Sequence, residues 1–175
     1  MCIRDRGAHL NAADRRGTEP SAAEAVDSVP KPNTGAEMEL NHTIVHATDN
    51  HAAARFLAEM LALGSPRQLG PFAVVQVGPT SLDFLDSEPP IREQHFAFLG
   101  SEAEFDAVVE RIQARGLPYW ADPHRREPGR INHWDDGRGV YFNDPDGHLL
   151  EVITRPYGSA GTAARQPHPL VNAEV

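Results

Sequence analysis

The spacing of apolar and polar positions separates one patterned region, residues 38–156, from two ends that lack a period. Glu39 to Ala47 carries β-branched residues in alternation and predicts a strand. Thr48-Asp49-Asn50 is a helix-start signal, with Asp49 placed to cap. Ala53, Phe56, Leu57, Met60 and Leu61 then recur at helical spacing until Gly64. Pro71 to Val77 and Ser81 to Leu85 predict two strands around the Gly78-Pro79 turn, and Pro89-Pro90 breaks the chain. The same order then returns. Glu93 to Leu99 predicts a strand, Ser101-Glu102-Ala103-Glu104 has the form of a capping box, and Phe105, Val108, Val109 and Ile112 give one helix face. Gly116-Leu117-Pro118 ends that helix. A long polar loop, roughly Asp122 to Gly137, leads to strands at Gly139–Asn143 and His148–Thr154, joined by the tight turn Asp144-Pro145-Asp146-Gly147.

The two halves superimpose at the separation of His42 from His95, which also places the Asp49 helix start on Glu102. Each half has the make-up of a βαβββ module, about 38–88 and 91–156. The expected fold is α+β: two tandem modules forming a cupped mixed β-sheet with the helices outside. Residues 1–37 contain few large apolar side chains and no sustained period. They are expected to be a disordered or non-native extension. Their opening Met-Cys-Ile-Arg-Asp-Arg is similar to translated sequencing-adapter sequence, and Met38 begins the patterned region. Residues 157–175 are rich in Gly, Ala and Pro and are expected to be a loose tail.

Composition narrows the chemistry. The formal net charge is −9, which argues against a nucleic-acid surface. The single cysteine, Cys2, excludes an internal disulfide and a cysteine-rich zinc site. The single lysine, Lys31, lies outside the patterned region and makes lysine chemistry an unattractive reading. No apolar run reaches membrane-spanning length, and the N-terminus lacks the apolar core of a secretory signal, so a cytoplasmic protein is expected. Nine histidines remain as the main reservoir of reactive side chains.

Strand alternation sorts them. His42, Ile44 and His46 share one face of the first strand. His95, Ala97 and Leu99 share one face of its repeat, while Phe96 and Phe98 take the face suited to a helix. Leu149, Glu151 and Ile153 share a face of the last strand. A carboxylate amid Leu-Leu-Glu-Val-Ile is costly to bury unless it meets a cation or a partner. His42, His95 and Glu151 therefore form a candidate facial set of two imidazoles and one carboxylate, which would leave coordination positions open for substrate.

Leu40-Asn41-His42-Thr43-Ile44-Val45, Gln94-His95-Phe96-Ala97-Phe98 and, above all, Gly139-Val140-Tyr141-Phe142-Asn143-Asp144-Pro145-Asp146-Gly147-His148-Leu149-Leu150-Glu151 resemble the vicinal oxygen chelate superfamily. That superfamily holds glyoxalase I, extradiol dioxygenases, fosfomycin-inactivating thiol transferases and bleomycin-resistance proteins. The resemblance implies paired βαβββ modules and puts His42, His95 and Glu151 at the three metal-ligand positions. It implies one divalent metal ion (Fe, Mn, Zn, Ni or Co) and a small-molecule substrate chelated through adjacent oxygens. It is also compatible with a homodimer. Asp83 is the counterpart of Glu151 in the first module, where glyoxalase I enzymes carry a Glu ligand. It is one methylene shorter, which favours a place beside the ligands or against substrate. Tyr141, ten residues before Glu151, stands where dioxygenases and fosfomycin enzymes place an active-site tyrosine. His133 lies close to the position of an extradiol acid–base histidine and is a candidate general base. His46 is a candidate for substrate contact, and Arg130 and Arg138 are candidates for holding a substrate carboxylate or phosphate, with surface ion pairs as the competing reading. His51, His124 and His148 are expected to be solvated. The expected activity is that of a metal-dependent enzyme of dioxygenase-like or glyoxalase, lyase or thiol-transferase type. The rival is a metal-free, drug-sequestering protein of the bleomycin-resistance kind.

Overall fold

The computed structural model describes residues 38–171, so the expectations for residues 1–37 fall outside it. The first module runs β1 (His42–Ala47), α1 (Asn50–Met60), β2 (Arg67–Leu69), β3 (Phe72–Val77) and β4 (Thr80–Asp86). The second runs β5 (His95–Leu99), α2 (Glu102–Ala114), β6 (Tyr119–Trp120), β7 (Gly139–Asn143) and β8 (Leu149–Ile153). Each builds a four-stranded mixed sheet, ordered β1-β4-β3-β2 and β5-β8-β7-β6. The pairs β1–β4 and β5–β8 are parallel and the others antiparallel. The expected α+β fold of tandem βαβββ modules is the fold observed. The short edge strands β2 and β6 were not anticipated.

The helices begin where the capping residues direct. The Asp49 carboxylate accepts the Ala52 N–H at 2.8 Å. Ser101 and Glu104 form a reciprocal capping box at the start of α2. After α2, Gly116 takes the left-handed conformation that closes the helix (φ 62°). Val45 and Ala47 are buried on the helix side of β1, while His42, Ile44 and His46 are exposed on the other face. A single apolar cluster runs through both modules. It joins Val45, Leu57 and Phe84 to Phe105, Ile112, Phe142 and Leu150, and α1 touches α2.

Polar staples complete the joint. The Asp146 carboxylate accepts the Thr48 backbone N–H and hydroxyl at 2.9 and 2.7 Å. Arg115 pairs with Glu59 at 2.6 Å, and Arg111 donates to the Met60 carbonyl at 3.1 Å. His148, expected to be solvated, is fully buried here. Its Nδ1 accepts the Gln94 N–H at 3.0 Å and its Nε2 donates to the His46 carbonyl at 2.8 Å, so the ring pins the two modules together.

The tail also departs from expectation. Residues 157–171 are docked rather than loose, because the Trp134–Asp136 turn supplies acceptors for their backbone. Asp135 accepts the Gly158 N–H at 2.8 Å, Asp136 accepts the N–H groups of Arg165 and Gln166 at 2.9 and 3.2 Å, and the Asp135 N–H donates to the Gln166 carbonyl at 2.7 Å. A segment held through its backbone leaves no apolar period to read.

Candidate active site and metal centre

Glu151 lies at the middle of β8, flanked by Ala97 on β5 and Tyr141 on β7. His95 enters from β5 opposite Leu149, two residues from Glu151 and on the same face. Parallel pairing of β5 with β8 and antiparallel pairing of β7 with β8 thus bring an imidazole, a carboxylate and a phenol together on rigid strands. A carbonyl oxygen can only accept, so the 3.0 Å contact between His95 Nδ1 and the Leu149 carbonyl puts a proton on Nδ1. His95 Nε2 then faces Glu151 Oε2 at 3.2 Å. Glu151 is fully buried, and while the imidazole is neutral its Oε2 has no hydrogen-bond partner.

The other carboxylate oxygen is held by the tail. The Tyr157 hydroxyl donates to Glu151 Oε1. Having spent its proton there, it accepts from the Tyr141 hydroxyl at 2.8 Å. Burial, and then the Glu151 carboxylate, raise the pKa of both phenols well above the ordinary tyrosine value, so both stay protonated at neutral pH. The hydrogen bond to Glu151 raises the pKa of His95, more than its partial burial lowers it.

These groups open onto a cavity of about 610 Å³. Its walls include His95, Tyr141, Tyr157, Trp134, His168 and His124. The Tyr141 ring stacks on His95, with centroids 6.1 Å apart and planes 23° apart. Sequence reasoning missed Tyr157 and His168, which sit in the tail, and took His124 for a purely solvated residue. Two isolated aromatic residues in a Gly-, Ala- and Pro-rich stretch carry no periodic signal.

The remaining candidates lie elsewhere. His42 is exposed on the first sheet, its Nδ1 2.9 Å from the Asn41 side-chain oxygen. Within one chain it does not join His95 and Glu151: among the described residues, no group of three His, Cys, Asp or Glu side chains is placed to hold an ion. Asp83 is buried on the first sheet and accepts the Ser81 hydroxyl at 2.8 Å. His46 contacts the Ser87 hydroxyl at 2.6 Å and lines a separate cavity of about 480 Å³ with Gln94. His133 also faces away from the site. The turn that follows it directs Trp134 into the cavity, while His133 lines a different surface pocket with Arg165. Arg138 holds no substrate group. It bridges Glu102 and Asp106, each at 2.6 Å, and lies over the Phe105 ring, tying β7 to α2. Arg130 is exposed and pairs with Glu127 at 3.4 Å.

The His95–Glu151 pair fits a metal. An imidazole lone pair and an orphaned buried carboxylate oxygen converge, and the proton on Nδ1 is fixed by a backbone acceptor, as metal-binding histidines require. Without a cation, the same pair must share a proton, which is the origin of the raised His95 pKa.

Residues 3–152 match the profile of the Glyoxalase/Bleomycin resistance protein/Dioxygenase superfamily, and the chain belongs to it. The match begins inside the stretch read from sequence as an extension. Glutathione transferase FosA of Serratia marcescens is 27% identical over 134 residues, covering 73% of this chain and 88% of that protein. Metallothiol transferase FosB of Shouchella clausii is 39% identical over 61 residues, covering 34% of this chain and 37% of that protein. The solved structure of oxidase ChaP-H1 is 59% identical with a TM-score of 0.69, covering 70% of this chain and all of that one. That superfamily takes in glyoxalases, bleomycin-resistance proteins and dioxygenases, and the relatives named are two transferases and an oxidase. Among the described residues, no helix is long and apolar enough to cross a membrane.

Proposed function

We propose that the protein is a metal-dependent oxidase or dioxygenase that acts on a small substrate bound through two adjacent oxygens. The observation that carries this reading is the convergence of His95 Nε2, on a residue of the cavity wall, with the unpartnered Oε2 of the buried Glu151. Oxidation is favoured over thiol transfer because the likeness to an oxidase, at 59% identity, is closer than that to the transferases, at 27% and 39%.

His95 and Glu151 are two of the ligands. His42 of a second copy is the third, because His42 lies on an exposed sheet face that does not reach His95 within one chain. Ile44 and Leu99, 40% and 61% exposed, lie on the same outward faces as His42 and His95 and supply apolar surface for that contact. A divalent ion held there would act as a Lewis acid on the chelated oxygens. The imidazole and carboxylate donors suit Fe, Mn, Zn, Ni or Co. Tyr157 fixes the Glu151 carboxylate through Oε1, leaving Oε2 toward the ion. Tyr141, kept protonated, orients Tyr157 and is the nearest protein proton source on the substrate side. His133 has no part in this reading.

Purified protein should retain about one equivalent of a divalent metal per chain, and with that metal should consume oxygen in the presence of catechols or related diols. Tight ligand binding by fully metal-free protein would instead support a sequestering protein. Mixing His42→Ala with Glu151→Ala chains tests the shared site. A randomly mixed symmetric dimer regains about one quarter of the sites. An absence of rescue, with mixed dimers confirmed by mass, would place His42 outside the metal site.

A further inference from the structure

His168 is 4% exposed, and its Nε2 has no hydrogen-bond partner. Its other ring nitrogen settles what that Nε2 carries. The Leu170 backbone N–H donates to Nδ1 at 3.1 Å, so Nδ1 is the bare nitrogen and Nε2 bears the proton in the neutral ring. A buried donor without an acceptor is costly, and native proteins keep few of them. This one lies in the wall of the 610 Å³ cavity that also contains His95 and Tyr141. The ring is fixed in place. It packs on Tyr157 with centroids 4.0 Å apart, and edge-on against Trp134 at 4.8 Å. Tyr157 is the residue that holds Glu151. The same short segment therefore secures the carboxylate and places a buried, unpartnered N–H in the wall of the cavity.

We infer that residues 157–171 form a wall of the ligand site, and that the Nε2–H of His168 donates to a second oxygen acceptor on the ligand, one that is not part of the chelated pair. The ligand class this selects is a diol carrying a further carbonyl, carboxylate or nitro oxygen. The inference rests on the reading of the cavity as a substrate site and adds a residue that selects among substrates.

The test uses the full-length, metal-loaded chain and three probes, followed by quenching of tryptophan fluorescence. 4-Nitrocatechol and 3,4-dihydroxybenzoate carry the extra acceptor, and 4-methylcatechol lacks it. His168→Phe keeps a ring against Tyr157 and Trp134 but removes the donor. It should weaken binding of the acceptor-bearing probes about tenfold, the loss expected for one buried hydrogen bond, and change 4-methylcatechol little. His168→Gln, whose amide can donate, should recover part of that loss. Metal content measured alongside shows that the ligands are intact. Equal weakening of all three probes, or none, would overturn the role of His168 while leaving the metal reading in place. Probe binding that depends on His168 in protein that holds no metal would keep this inference and overturn the metal reading. Failure of the wild-type chain to bind any probe would remove the ligand site and this inference with it.

Discussion

The two modules share strand order, pairing and helix placement, yet their outward faces differ in chemistry. At equivalent positions the first has His42, Asp83 and Val74 where the second has His95, Glu151 and Tyr141. In the first, Asp83 accepts the Ser81 hydroxyl from its own strand. In the second, Leu149 replaces Ser81, so the Glu151 oxygens must find partners elsewhere: Oε1 takes Tyr157 from the tail and Oε2 is left facing His95. One scaffold thus gives a carboxylate satisfied inside its own module and one that draws on the tail. The difference lies in the Ser81–Leu149, Asp83–Glu151 and Val74–Tyr141 exchanges and in the segment that brings Tyr157.

The sharpest way to break this comparison is to remove the two carboxylates in turn. Glu151→Ala should lower metal affinity by more than the roughly 10–100-fold seen when supporting residues are lost, whereas Asp83→Ala should leave metal content unchanged. Elemental analysis after gel filtration decides it, and stoichiometric metal in Glu151→Ala would sink the proposed site. Next in size is turnover. Tyr141→Phe should keep fold and metal but lower the rate by roughly 10²–10⁴, the range for a positioned proton donor. His133→Ala should leave the rate unaltered once a substrate is in hand. Loss of activity in His133→Ala alone would return that residue to the mechanism.

A third variant addresses the joint that both modules share. His148→Ala strands the Gln94 N–H and the His46 carbonyl, and should cost about 3 kcal/mol in denaturant unfolding. The smallest effect concerns pH. In metal-free protein the Glu151 hydrogen bond raises the His95 pKa above its ordinary value of about 6.5. Its contribution to stability is therefore complete below that value and lost as pH rises through the raised folded pKa. Because His95 is nearly half exposed, solvent screening keeps this to a small slope in Tm above pH 6.5. The slope should vanish in His95→Ala. Metal binding runs the other way, weakening as acid protonates His95.

The fold was readable because its signals are local and doubled. Asp49 and the Ser101–Glu104 box mark both helix starts, and the alternation of β1 and β5 fixes which face each histidine takes. The strands β2 and β6 escaped notice because three and two residues are too few to show a period. At the site, the shared face of His95 and Glu151 was legible from strand alternation, whereas Tyr141 entered through the family resemblance. His133 was not separable from Trp134 by sequence, since left-handed backbone at Asp135 and Asp136 (φ 55° and 57°) decides which of the two turns inward. Arg138 looked like a substrate clamp until its two carboxylate partners on α2 appeared. His168 was hidden because its burial depends on backbone hydrogen bonds to Asp135 and Asp136, which leave no trace in composition.

The block from Gly139 to Glu151 has a further meaning. Of its thirteen residues, Tyr141 lines the cavity, Glu151 faces His95, and Leu149 meets His95 through its carbonyl. Asn143 binds the carbonyls of Gly147 and His148, Asp144 accepts the N–H groups of Asp146 and His148, and Asp146 and His148 bind the first module. Most of the block is masonry: it keys one half of the molecule into the other. The tail, in contrast, lies on its seat through main-chain atoms, so its side chains can be exchanged while the seat is kept. Grafting a different run of residues over 158–171, with Tyr157 kept on Glu151, is therefore a route to new substrate choice that leaves the hydrophobic core and the proposed metal ligands untouched.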